Sequence, residues 1–288
     1  MRRLENYVDI MLDSLPGKDH SHRFRYELYR DCMPNVFVDY NHGKVDSPTH
    51  FHSSIEILYV EDGQMQVNID NMNYTVSQGQ FIAVPSFTFH SCCVNADARR
   101  WVVVIPPELL GSTARQLDGK IFADCLQMDD GTIFSLTRII RHAYSQQGIF
   151  QGDGNAENRR QIIRSLCAAI ITAVISACGL REQNSPAPLI VNALKYIHLH
   201  FREDIRIPEM SHALLCTQQT LSSQFNAVIG MTISAYINHL RALDVRANLS
   251  DDPNMRLTEA AELAGFGSVR SMLRAYKREF GCTPSENR

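Results

Sequence analysis

Near the C-terminus, Ala260-Ala261-Glu262-Leu263-Ala264 runs into Gly265-Phe266-Gly267 and then into Ser268–Phe280. This stretch restricts the fold more than any other. Thr258 or Glu259 to Ala264 is expected to form a short support helix with Ala260, Ala261, Leu263 and Ala264 as its apolar face. The glycines supply the backbone freedom of a tight interhelical turn. A second helix is expected from about Ser268, an N-cap residue type, to Phe280. Met272, Tyr276 and Phe280 recur every four residues and so line one face. Arg270, Arg274, Lys277 and Arg278 fall mostly on the other faces, within reach of phosphates or base edges. Gly281 suits a C-cap and Thr283-Pro284 a stop. A Gly-Phe-Gly turn taken alone fits an ordinary helical hairpin equally well.

The string G-F-G-S-x-x-S-M-x-R-x-Y-K-R-E-F-G-x-T-P-S-E-x-R, from Gly265 to Arg288, resembles the C-terminal signature of AraC-type transcription regulators. The resemblance implies an all-α DNA-binding domain of two helix-turn-helix units in tandem, joined by a long helix. Upstream, Ile205-Arg206-Ile207-Pro208 leads into Glu209–Leu215, then Cys216-Thr217 and a helix from Gln218 to about Ile229. Leu221, Phe225 and Val228 give that helix an apolar stripe, Thr217 is its N-cap and Gly230 its end. A connecting helix is expected from roughly Thr232 to Leu249, closed by Ser250-Asp251-Asp252-Pro253. Its buried side is Ile233, Ile237, Leu240 and Leu243 or Asp244, and Arg241 takes the place of an arginine the family carries there. The resemblance covers about Leu189 to Arg288.

The DNA-binding residues implied are Gln218, Gln219 and Ser222 in the first unit, Arg241 in the connecting helix, and Ser268, Arg270, Arg274, Lys277 and Arg278 in the second. The first unit departs from the family: its candidate recognition helix carries no lysine or arginine, and Asn226 follows Phe225 where a basic residue is usual. Gln and Asn read adenine edges through paired hydrogen bonds but lack the phosphate attraction behind most non-specific affinity. The second unit is therefore expected to carry most of the electrostatics, helped by Arg202, Arg206, Arg241 and Arg246. A first unit that is structural and reads little stays open.

Bulk composition points elsewhere. With 28 Lys+Arg against 31 Asp+Glu, no global basic charge advertises nucleic acid. The 288 residues suggest two domains, and Arg181–Pro188 is a polar, proline-bearing linker between them. The expected division is 1–182 for effector binding and dimerisation and 189–288 for DNA. Ala168–Ala177 is too short an apolar run to span a bilayer, and no signal-peptide core follows Arg2 and Arg3. Eight cysteines show neither a Cys-x-x-Cys pair nor a disulfide spacing, which suits reduced thiols in the cytoplasm.

Ahead of the linker, Ile133–Gln146 and Gln161–Leu180 have broad apolar faces at helical spacing. Such a pair either covers its own sheet or offers a partner surface. Further upstream the period is two: Ile55–Val60, Gln64–Ile69, Tyr74–Val76, Gln80–Val84, Thr88–Val94 and Arg99–Pro106 read as strands. Glu61-Asp62-Gly63, Asp70-Asn71 and Ser77-Gln78-Gly79 are the turns between them. Regular short strands imply a sandwich or barrel, and Ile55–Ser91 resembles a cupin. The fold class expected is α+β in two domains, an N-terminal cupin-like β-barrel with a helical extension followed by the tandem helix-turn-helix domain.

Within the barrel, His50-Phe-His52-x-x-x-Glu56 and the later His90 form the chemical cluster. Histidines at alternate strand positions share a side, with Glu56 an even step further along, and a second hairpin brings in His90. Three imidazoles and a carboxylate suit zinc, iron, manganese or nickel, and the spacing resembles the metal motifs of enzymatic cupins. The reading preferred here is a metal-free pocket, without cofactor, in which His50, His52, Glu56 and His90 contact a polar effector. The alternative is a metal-dependent cupin enzyme or metal sensor fused to a DNA-binding domain. No phosphate loop, nucleophile elbow or dinucleotide fingerprint points to an enzyme. Cys92-Cys93 reads as packing, Trp101 as sheet core, and Asp19-His20-Ser21-His22 as a solvated loop. The partners implied are promoter DNA, a small-molecule effector, a second copy of the chain and RNA polymerase, with no membrane.

Overall fold

The structure, a computed structural model, describes residues 25–27, 30, 36–94, 98–117, 119–144, 156–182, 188–252 and 254–286. The segments Asp19–His22 and Gly148–Asn155, most of the linker and Pro253 lie outside the described residues. The chain divides into two compact units, one of residues 23–185 and one that includes 186–288.

Strands of the first unit are β1 (Arg25–Tyr26), β2 (Phe37–Asn41), β3 (Val45–Phe51), β4 (Ile55–Asp62), β5 (Gln64–Ile69), β6 (Met72–Ser77), β7 (Gln80–Val84), β8 (His90–Val94) and β9 (Arg99–Ile105). A short helix α1 (Ala114–Leu117), β10 (Lys120–Phe122), β11 (Leu126–Met128), helices α2 (Thr132–Tyr144) and α3 (Ala156–Cys178), and β12 (Leu180–Glu182) complete it. Two five-stranded sheets form, in the orders β1-β3-β8-β5-β6 and β11-β7-β4-β9-β2, with β10 and β12 as a separate ribbon. The predicted turns are where the backbone needs them. Asp70 and Asn71 both take positive φ, 48° and 67°, the two-residue hairpin geometry that matches strand twist.

Strand β4 is buried on both faces, and its alternation divides the core. Ile55 and Ile57 pack with Ile133 and Ile140 of α2 and with Ile163, Cys167, Ile170, Ile171 and Val174 of α3. Leu58 and Val60 pack instead with Met65, Val67, Val76, Ile82, Val84 and Val94, from both sheets. Glu56 has the parity of Leu58 and Val60, so its carboxylate faces the space between the sheets. The helical pair therefore covers its own sheet. Residues Gln161–Cys178 have the length and apolarity of a membrane span, but Ile163, Cys167, Ile170, Ile171 and Val174 are fully buried in this core.

The second unit is helical: α4 (Leu189–His200), α5 (Ile207–Ala213), α6 (Gln218–Ile229), α7 (Ile233–Asp251), α8 (Leu257–Leu263) and α9 (Val269–Phe280). Thr217 caps α6 by accepting from Thr220 N at 3.1 Å, and Ser268 caps α9 by accepting from Ser271 N at 3.2 Å. Gly230 and Gly281 close the same helices in the left-handed region. Ala260, Ala261 and Ala264 are small enough to let Ala242, Val245 and Leu249 of α7 meet Met272, Ala275 and Tyr276 of α9 in one core with Phe266.

The sequence assigned the interhelical turn to both glycines, but only Gly265 is needed there. Its φ is +79°, and a Cβ would lie 2.3 Å from the Arg202 carbonyl oxygen, whereas a Cβ on Gly267 meets nothing within 4 Å. Gly265→Ala is expected to destabilise the second unit by about 2 kcal/mol or more, since strain and a backbone clash add. Gly267→Ala is expected to be neutral or slightly stabilising. Urea unfolding followed by circular dichroism compares the two; equal effects would contradict this geometry.

Candidate functional site

In the first unit, His50, His52, Glu56 and His90 come together, and all four are buried. One ring nitrogen from each histidine and one carboxylate oxygen of Glu56 all lie within 4.8 Å of one another. The route differs from the sequence reading, which put His50, His52 and Glu56 on one strand. β3 ends at Phe51, the chain reverses through His52-Ser53-Ser54, and Glu56 enters on β4 in the opposite sheet. His90 arrives on β8 as the direct cross-strand partner of His50. Phe51, fully buried beside the cluster, lies between Tyr26 and Phe89 with tilted rings and centroids 4.9 and 4.6 Å away.

Each imidazole is held at Nδ1 by a backbone carbonyl: His50 by Pro48 at 2.8 Å, His52 by Ser54 at 3.1 Å and His90 by Thr88 at 2.9 Å. A carbonyl only accepts, so Nδ1 carries the proton and Nε2 is left as a lone pair in the neutral ring. His52 Nε2 stands 3.1 Å from Glu56 Oε2. His90 Nε2 stands 3.7 Å from the same oxygen, too long for a hydrogen bond, and is buried with no hydrogen-bond partner. Burial pushes the Glu56 carboxyl up, but the His52 hydrogen bond and the nearness of His90 pull it down further, well below the usual carboxylate range. Burial and the charge of His90 lower His50. For His90, burial works downward, but Glu56 outweighs it and the net direction is up. The cluster is a buried carboxylate among three imidazoles, and it calls for positive charge. At its rim, Glu27 is held 3.1 Å from Arg30 and lies 3.8 Å from His50 Nε2.

A second feature was not legible in the sequence. Tyr40, Glu61, Trp101, Phe134, Arg138, Arg141 and His142 line an open cleft of about 520 Å³. Trp101 is buried sheet core as expected, yet one edge of it serves this cleft, with Arg141 over its ring at 5.1 Å. The one available signal was Arg138 and Arg141 three apart on α2 above an aromatic strand. The Cys92 thiol is pushed up to about 12, first by burial and then by Glu56, so it is not poised as a thiolate.

In the second unit, Gln218, Gln219 and Ser222 are exposed on α6, and Arg270, Arg274, Lys277 and Arg278 are exposed on α9. Steps of four, three and one place these four cations along one side of α9. Arg274 and Arg278 also line a groove with Asn238 of α7. The remaining expected contributors have partners within the second unit. Arg241 donates to the carbonyls of Phe201 and Glu203, both at 2.6 Å. Arg202 forms a two-pronged pair with Asp244 at 2.9 and 2.6 Å, and Arg206 pairs with Asp204 and Glu209 at 3.2 and 3.7 Å. Arg246 lies 4.4 Å over the Phe280 ring. The Ser268 hydroxyl is committed to its cap. The charge these arginines were expected to lend is offset by local carboxylates or turned to bracing the fold.

Two family models match the chain, a helix-turn-helix domain over residues 210–288 and a cupin domain over residues 36–105. The chain is similar to AraC-type regulators. It is 21% identical over 236 residues to the probable transcriptional regulator LumQ of Photobacterium leiognathi, covering 82% of this chain and 90% of that one. It is 20% identical over 276 residues to the transcriptional activator RhaS of Shigella flexneri, covering 91% and 95%. Solved structures with a partial likeness include ToxT from Vibrio cholerae (TM-score 0.38, 11% identity, 88% of this chain and 97% of that one). Another is the AraC-like activator CuxR (TM-score 0.44, 18% identity, 67% of each chain).

If Arg241 braces the Phe201–Glu203 turn, Arg241→Ala costs about 2 kcal/mol of stability through two lost charge-assisted hydrogen bonds. The salt dependence of DNA binding stays the same in that variant. A melting curve beside a salt titration separates the roles; a stable variant with a flatter salt slope would return Arg241 to the DNA surface.

Proposed function

We propose that this chain is an AraC-type regulator that binds specific promoter sequences through its tandem helix-turn-helix units and responds to an effector held in the cupin. The observation that carries the reading is the pairing of two capped recognition helices on one connecting helix, with the exposed row Arg270, Arg274, Lys277 and Arg278 on the second. On this account α9 meets phosphates and base edges, while Gln218, Gln219 and Ser222 on α6 read base edges with little phosphate attraction. The protein acts in the cytoplasm, where promoter DNA is, as a homodimer that contacts RNA polymerase, and has no catalytic activity of its own. Residues 1–182 sense and dimerise, and residues 189–288 bind DNA. An effector acts by binding one arrangement of the regulator better than another, because equal affinity shifts nothing.

Duplex recovered by the full chain from a random-sequence library provides the test. Arg274→Ala is expected to weaken binding to all sequences and to lower the salt slope by about one. Gln219→Ala is expected to relax sequence preference at one position, at about 1–3 kcal/mol of discrimination, with the slope unchanged. An unaltered slope in Arg274→Ala removes that residue from the interface.

A further inference from the structure

On the helical face of the β11-β7-β4-β9-β2 sheet, three aromatic side chains stand in one cross-strand row. Tyr40 of β2 and Tyr59 of β4 both pair with Trp101 of β9, so all three share a face. Tyr59 packs with the core that α2 and α3 cover, which makes this face the one opposite Glu56. Helix α2 lies along the row: Phe134 stacks on Tyr59 at 5.1 Å and meets Trp101 edge-on at 6.0 Å. Arg138 and Arg141 follow Phe134 by four and seven residues, the spacing of one helix face. Together these elements enclose the cleft of about 520 Å³, a size ordinary for a small-molecule site.

The rings of this cleft hold two cations in place. Arg141 stands 5.4 Å over Tyr40 and 5.1 Å over Trp101, and Arg138 stands 5.6 Å over Phe134. Among the described residues, neither guanidinium has a carboxylate partner or a hydrogen bond. Stacking uses the face of a guanidinium and leaves its in-plane N–H donors for a ligand. Glu61, the acid among the lining residues, already accepts from the Trp101 indole N–H at 3.3 Å. Two arginines against one carboxylate leave a single positive charge in excess. A neutral aromatic would use the rings and leave both arginines idle, and a phosphate dianion would be repelled by Glu61. One carboxylate on an aromatic ring matches the rings, the forked donors and the charge.

We propose that this cleft binds a planar aromatic monocarboxylate, its ring against Tyr40, Trp101 and Phe134 and its carboxylate held by Arg138 and Arg141. The site lies apart from the His/Glu cluster and does not depend on the regulator reading. Trp101 is the single tryptophan of the chain, so its fluorescence reports occupancy directly.

The test titrates the full chain with biphenyl-4-carboxylate, following Trp101 emission and the heat of binding. Neutral biphenyl-4-carboxamide, decanoate and inorganic phosphate are the comparison probes. One equivalent of the aromatic acid is expected to bind and to change the emission, with the amide at least about 10-fold weaker. Decanoate is expected to be at least about fivefold weaker for want of a π-face, and phosphate weaker still. Arg141→Gln should lower affinity for the acid at least about 10-fold and Arg138→Gln at least about threefold. Both side chains are exposed, so the melting temperature should not move. Arg115→Gln, on α1 and outside the lining, should change neither quantity. The preference for acid over amide should also shrink in Arg141→Gln, a coupling that a merely structural role would not produce. No saturable binding of the acid below about 1 mM, or equal affinity for acid and amide, overturns the proposal. Full affinity in the Arg138→Gln/Arg141→Gln double variant puts the ligand elsewhere and overturns the site. Decanoate or phosphate binding as tightly as the aromatic acid overturns the ligand class.

Discussion

A carboxylate buried between two β-sheets must be matched by positive charge, and Glu56 sets that demand at the centre of the first unit. Leaving an ion unpaired in such a place costs several kcal/mol, more than any one apolar contact around it returns. The surrounding architecture meets the demand from three directions. β3 and β8 bring His50 and His90 opposite each other, the reversal after Phe51 turns His52 inward, and three main-chain carbonyls fix the ring orientations. Strand β4 spends its other face on helices α2 and α3, so a single strand joins the cluster to the unit's largest apolar core.

The second unit depends in the same way on one element. α7 holds the first helix-turn-helix through Tyr236, whose ring meets Phe225 of α6 edge-on at 5.6 Å and whose hydroxyl meets His198 of α4 at 2.8 Å. It holds the second through His239, 2.9 Å from Glu279 of α9. Arg241 and Asp244 of α7 grip the turn after α4, and the Arg202 backbone within that turn leaves no room for a side chain at position 265. The two recognition helices are thereby mounted on a common frame. The charge on that frame is uneven, because α9 presents exposed arginines and α6 presents amides and hydroxyls.

Much of this was written locally. Caps at Thr217 and Ser268, closing glycines at 230 and 281 and the Asp70-Asn71 hairpin follow from single-residue stereochemistry, so short stretches suffice to find them. β3 was harder to see, because Val45-Asp-Ser-Pro-Thr-His-Phe51 mixes charge and a proline into a strand. Glu56 was misplaced for a related reason: even spacing shows a shared face only if the strand is unbroken, and the reversal at His52 breaks it. The fates of Arg202, Arg206 and Arg241 depend on carboxylates and carbonyls up to about forty residues away, which composition and periodicity do not reveal. The same holds for the Tyr40–Trp101 cleft, assembled from three strands and a helix.

The central claim is an asymmetric grip by two readers on one frame. Ethylation interference combined with hydroxyl-radical footprinting of the full chain on its selected duplex tests it most directly. The account predicts two protected patches on one face of the DNA, about one helical turn apart. Phosphates whose ethylation blocks binding should concentrate in the patch covered by α9. A single patch, or interfering phosphates shared equally between two, would contradict it.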